Sequence, residues 1–101
     1  MKRFIALAET CEARIPLPEI ARLLGTNVRS LRNYVGRHLG ISPSRFLRRQ
    51  RLIRARERII AGECVTRAAV EFGFWQLSHF SRYYRDEFGE YPSVTLQRGR
   101  P

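Results

Sequence analysis

Apolar residues in this chain recur at the three-to-four spacing of helices almost from end to end, and no stretch alternates as a half-buried strand does. Phe4, Ile5, Leu7, Ala8 and Cys11 form the buried stripe of a helix predicted over residues 2–12. Ile15-Pro16-Leu17-Pro18 breaks it. A second helix follows over 17–24, with its prolines in the first turn, where the missing N–H costs nothing. Gly25 is its stop, the residue suited to a left-handed exit. Asn27 caps a third helix over 28–39. On that helix Val28, Leu31, Tyr34, Val35 and Leu39 share one side, and Arg29, Arg32, Asn33, Gly36 and Arg37 the other. Ser42-Pro43 opens a long fourth helix, predicted to reach Ala61 and stop at Gly62, with apolar stripes Phe46-Ile53-Ile60 and Leu52-Ala55-Ile59. The pattern then gives a fifth helix over 65–72, a Gly73 turn and a sixth over 76–88. On the sixth, Phe80, Tyr84 and Phe88 point inward with Leu77 and Tyr83 beside them, while Ser78, His79, Arg82 and Arg85 point outward. The segment from Pro92 to Gln97 offers only a short last turn, and Gly99, Arg100 and Pro101 read as a frayed tail.

The pattern repeats. Ala21, Gly25, Leu31, Val35, Leu39, Gly40, Pro43 and Ser44 answer Ala69, Gly73, Phe80, Tyr84, Phe88, Gly89, Pro92 and Ser93. The offset is 48 positions up to the turn and 49 after it, so the second turn is one residue longer. The reading is an all-α chain of two helix-turn-helix subdomains, residues 1–41 and 63–101, joined by a linker helix within 42–62. At 1.5 Å per residue that linker runs roughly 28 Å, enough to hold two reading helices about one DNA turn (~34 Å) apart.

Charge changes the picture from a helical bundle to a polyanion partner. Nineteen basic residues face nine acidic ones, a net +10 in 101 residues, which calls for a partner of opposite sign. With 44% hydrophobic residues the chain can bury a core and is not a disordered basic tail. Two cysteines and two histidines, unclustered, give neither a disulfide framework nor a metal or cofactor site. No run is long enough for a signal peptide or a membrane span, so a reduced, cytoplasmic setting without membrane contact is expected.

The outward residues of the third and sixth helices carry the chemistry. An α-helix fits the major groove, where Arg pairs with guanine O6 and N7 and Asn with adenine N6 and N7. Arg29, Arg32 and Asn33 supply that chemistry in the first unit; Ser78, His79 and Arg82 supply a weaker form of it in the second. Arg37, Gln76 and Arg85 are candidates for the DNA backbone, where contacts add salt-dependent affinity without sequence information.

From about Leu17 to Arg98 the chain resembles the DNA-binding domain of the AraC/XylS transcription regulators. The residues that carry the resemblance are Leu31 and Val35, Gly40-Ile41-Ser42-Pro43, Arg51-Leu52-Ile53-Arg54-Ala55, Ala69, Gly73-Phe74, Ser78-His79-Phe80-Ser81-Arg82 and Phe88-Gly89-Glu90-Tyr91-Pro92-Ser93. It implies seven helices, promoter binding in double-stranded DNA and, usually, transcriptional activation; RNA polymerase is a candidate further partner, and no enzymatic activity is expected, because neither Cys11 nor Cys64 sits among ligand-like residues. It places Arg29, Arg32 and Asn33, then Leu77, Ser78, His79 and Arg82, at the bases. Family members commonly carry a sensing and dimerising domain ahead of this one. The sequence has no room for it, so the chain is expected to be a stand-alone regulator or an excised C-terminal piece. Three departures mark it: Trp75 at a turn position usually small and polar, Cys64 where a polar cap is common, and Thr95-Leu96 where a Tyr-Arg pair often stands.

Plainer readings compete at several positions. The aromatic set Phe72, Phe74, Phe80, Tyr83, Tyr84 and Phe88 reads as core by its spacing, rather than as a base-stacking platform. Trp75 reads as a structural wedge or half-buried turn residue ahead of a DNA or partner contact. Arg51, Arg54 and Arg58 read as a solvated face ahead of phosphate or polymerase contacts. Cys11 reads as packing. A nonspecific or architectural nucleic-acid module is the alternative to a sequence-specific one.

Overall fold

A computed structural model describes residues 2–10 and 15–99. Among them seven helices follow in order: α1 Lys2–Thr10, α2 Leu17–Leu23, α3 Val28–Leu39, α4 Pro43–Ile60, α5 Val65–Glu71, α6 Leu77–Phe88 and α7 Pro92–Gly99. Among the described residues there is no strand, and no helix is long and apolar enough to cross a membrane. The expected packing role of Cys11 and the tail at Arg100 and Pro101 lie outside the described residues. The chain divides into two compact units, Met1–Gln50 and Arg51–Pro101.

In the first unit Phe4, Ile20, Ala21, Leu31 and Val35 are buried together, with Phe46 and Leu47 of α4 packed on them. The rings of Phe4 and Phe46 lie 5.6 Å apart. In the second unit Leu52, Ala55 and Ile59 of α4 join Ala68, Ala69, Phe72, Phe74, Phe80 and Tyr84. The start of α4 therefore closes one core and its remainder opens the other. The Leu52-Ala55-Ile59 stripe is buried, but the Phe46-Ile53-Ile60 stripe does not act as one face: Ile53 is half-buried and Ile60 is exposed. Phe46 belongs to the first unit, whereas Ile53 and Ile60 fall where Leu52, Ala55 and Ile59 already fill the second.

Side-chain caps begin the helices where the sequence places them. Asn27 Oδ1 accepts from the Ser30 N–H at 2.8 Å, and Ser42 Oγ from the Arg45 N–H at 3.2 Å. The Sγ of Cys64 takes the Arg67 N–H at 3.4 Å, so a thiol supplies the cap that a hydroxyl would.

The C-terminal segment corrects the expectation of a single short turn, since α7 runs eight residues to Gly99. Thr95, one of the departures from the family pattern, is buried. Its hydroxyl accepts from Tyr84 Oη at 2.8 Å and donates to Glu90 Oε2, and Glu90 in turn pairs with Arg98. Leu96 packs on the same core. A buried polar group with its partners in place costs little, and here it ties α7 to α6.

The α4 arginines also depart from a solvated face. Arg51 donates to the Phe72 carbonyl at 3.2 Å and lies 4.6 Å over the Phe74 ring. Arg58 pairs with Glu71 at 3.3 Å and sits near the Phe72 ring, and Arg54 is half-buried. Long arginine stems cover apolar surface while the head finds a carbonyl, a carboxylate or a ring face.

Candidate nucleic-acid interface

The sequence repeat is also a repeat of hydrogen bonds. In the first unit the Thr26 N–H bonds the Ala21 carbonyl at 2.9 Å and the Gly25 N–H bonds the Arg22 carbonyl at 3.1 Å. In the second the Phe74 N–H bonds the Ala69 carbonyl at 2.9 Å and the Gly73 N–H bonds that of Val70 at 3.1 Å. Gly25 (φ 72°) and Gly73 (φ 87°) take the left-handed conformation that the exit from α2 and from α5 requires. Ala21 and Ala69 are each 1% exposed, small enough for the bracing helix to press close to the next one. Each unit is thus a helix, a tight turn and a longer helix.

Burial then fixes which face of each longer helix is presented. On α3, Leu31 and Val35 are buried, and Arg29, Arg32, Asn33 and Arg37 are exposed. On α6, Phe80 and Tyr84 are fully buried, and Ser78, His79, Arg82 and Arg85 are exposed, as is Gln76 at the N-cap. The first four sequence candidates therefore share one helix face, and the other five lie on or beside a second.

Two inner-face assignments fail. Tyr34 is 45% exposed, its ring 4.4 Å from that of His38, so it borders the outward face of α3. Leu77 is likewise 45% exposed. As the first residue of α6 it lies one turn short of Phe80 and Tyr84, outside the apolar cluster. Trp75 is not a wedge: it is 76% exposed, although Phe74 beside it is buried.

The arginines sort by what holds them. Arg51 and Arg58 are engaged as described; Arg56 lies over Phe88 at 5.0 Å, Arg67 pairs with Glu63 at 3.9 Å, and Arg22 with Glu19. The hydrogen bond from Arg22 holds the Glu19 carboxyl below its ordinary range, an exposed pairing of small consequence for stability. Among the described residues no carboxylate pairs with Arg29, Arg32 or Arg37. On α6, Arg82 and Arg85 lean over the rings of Tyr83 and Tyr91, at 5.7 and 5.2 Å, and Asp86 is exposed nearby. The α3 face is thus a strip of uncommitted cations with one amide. The α6 face carries less net positive charge, two guanidiniums against one carboxylate, beside a hydroxyl and an imidazole.

Two bracing helices, two left-handed turns and two outward-facing helices define a tandem helix-turn-helix protein. Residues 20–98 match the family model described as a helix-turn-helix domain. The chain belongs to the AraC/XylS family of helix-turn-helix domains. It is 38% identical to a probable AraC family transcriptional regulator from Rhodopseudomonas palustris of known crystal structure, which it matches over 99% of its own length and 96% of that chain with a TM-score of 0.91. It is 32% identical over 96 residues to the XylDLEGF operon transcriptional activator 1 of Pseudomonas putida, and 35% identical over 82 residues to the HTH-type transcriptional activator RhaS of Escherichia fergusonii. These matches take in 91% and 80% of this chain, but it spans 29% of the length of each activator.

Proposed function

We propose that the chain binds double-stranded promoter DNA sequence-specifically to regulate transcription, with α3 and α6 reading successive major-groove segments. The single observation that carries this reading is the sorting of its arginines. Arg22, Arg51, Arg56, Arg58 and Arg67 are engaged by rings, carbonyls or carboxylates, while Arg29, Arg32 and Arg37 stand exposed on one face with Asn33. That spacing suits base edges for Arg29, Arg32 and Asn33 and phosphate for Arg37. Ser78, His79 and Arg82 are the corresponding base contacts of α6, with Gln76 and Arg85 on the backbone. Binding and positioning are the whole activity, without catalysis, and RNA polymerase is the second partner that activation would require.

The deciding measurement compares a duplex selected from a random pool with a scrambled duplex at one physiological salt concentration. Specific recognition predicts a preference of at least ~10³-fold. Equal affinities would reduce the chain to a nonspecific, architectural binder.

Gly36 separates binding from stability. It lies on the outward side of α3, and a Cβ there would meet nothing within 4 Å in the free protein. Gly36→Ala is therefore expected to stabilise α3 by up to about 1 kcal/mol, as alanine does in a helix interior. If the missing side chain admits the DNA surface, the same change weakens binding by about 1–3 kcal/mol, the usual cost of overfilling a packed contact. Thermal melting and fluorescence anisotropy on one preparation read both; a higher melting temperature with unchanged affinity removes the close approach at Gly36.

A further inference from the structure

The second turn is one residue longer than the first, and the added length changes what is shown outward. Between Gly25 and the cap Asn27 there is only Thr26; between Gly73 and Gln76 stand Phe74 and Trp75. Phe74 is 7% exposed, its ring tilted against that of Phe80 at 5.1 Å and beneath the Arg51 guanidinium. Residues 74–76 lie outside the helices, and Gln76 has an extended backbone (φ −112°, ψ 113°). Phe74 takes the inward place in the lengthened turn, and Trp75 beside it is 76% exposed. Next to it, Leu77 is also uncovered, and Gln76, Ser78 and His79 complete an exposed run at the entry of α6.

We propose that Trp75, with Leu77, is a specificity-determining DNA contact of the second unit, seated against a thymine 5-methyl group in the major groove. The proposal rests on the DNA-binding reading above and deepens it. Three observations favour DNA over other occupants of this apolar spot. Its position is continuous with the outward face of α6, whose N-terminal end is the part of a reading helix that meets base edges. Its chemistry fits, because the thymine methyl is the one apolar feature that bases offer in that groove. Its charge setting fits too: Arg82 and Arg85 stand near the carboxylate of Asp86, so this unit has fewer net cations to offer phosphates than α3 has. An ion-independent contact supplies affinity there by another route.

The chain contains a single tryptophan, so its emission reports this position alone. The probe is the duplex that the protein selects from a random pool, with each thymine replaced in turn by deoxyuridine. The expected result has three parts. Binding quenches Trp75 emission and shields it from acrylamide. Trp75→Ala, whose fold is checked by its melting curve, binds roughly tenfold more weakly, with the same dependence on salt, because every phosphate partner stays in place. At one or two positions deoxyuridine weakens the wild-type protein about fourfold, the value of one methyl group, and leaves Trp75→Ala unaffected. Emission that stays equally open to acrylamide in the complex overturns the proposal and leaves the DNA-binding reading standing, with Trp75 free for a protein partner. Shielding without sensitivity to any uracil overturns the thymine assignment. Failure to select any sequence from the pool removes both.

Discussion

Phe80→Ala is expected to unfold the second unit and spare the first. The side chain is fully buried, with the rings of Phe74 and Tyr84 at 5.1 and 5.6 Å. Truncating a core phenylalanine costs ~3–5 kcal/mol, partly transfer energy forgone and partly the cavity left behind. Against the ~5–15 kcal/mol that holds an ordinary domain together, that loss leaves the unit marginal. The first core contains neither Phe80 nor any residue that packs with it. Amide exchange is the measurement: protons of α5, α6 and α7 should lose protection, while those around Leu31 and Val35 keep theirs. Retained protection in α6 would contradict the core assignment. Loss in both units together would mean that they unfold as one cooperative body.

Arg32→Ala is expected to leave stability alone and change which sequences bind. The side chain is exposed on α3, with no carboxylate partner among the described residues. Its removal should therefore move the melting temperature little, since surface substitutions of this kind stay within ~0.5 kcal/mol. If Arg32 meets a base edge, truncation costs about 1–3 kcal/mol and relaxes preference at one position. If it meets a phosphate instead, truncation weakens every duplex alike and lowers the salt slope by roughly one unit. Selecting sites with the variant distinguishes these outcomes; uniform weakening would move Arg32 from the bases to the backbone.

What is legible in the sequence follows from which interactions are local. Asn27, Ser42-Pro43, Gly25 and Gly40 act within one turn of where they stand, and the bounds of α3 and the start of α4 come out as those residues dictate. The fully buried positions on the two reading helices are legible because 3.6-residue periodicity is a property of the helix alone. What stays hidden depends on partners far along the chain. Arg51 looks like a solvated cation until it meets Phe72 and Phe74, some twenty positions on. The segment after Pro92 looks like a single short turn until Tyr84 and Glu90 satisfy the hydroxyl of Thr95 and hold the helix in place. Wheel geometry also overreaches at helix ends: Leu77 has the right angle for the core but lies beyond its edge. Trp75 invites the wrong reading because a large aromatic next to a turn usually covers something. Its exposure comes from Phe74, which takes the inward place.

The two cores also occupy separate stretches of chain: the first is complete at Leu47, and the second begins only at Leu52. Each of these cores is therefore built by a segment of about half the protein, which keeps loop-closure costs low and favours rapid folding. On the ribosome, every described residue of the first core has emerged before the other half has been synthesised, so that core can close first. The order of synthesis and the order of assembly then coincide, and little sticky surface waits for residues that have yet to emerge.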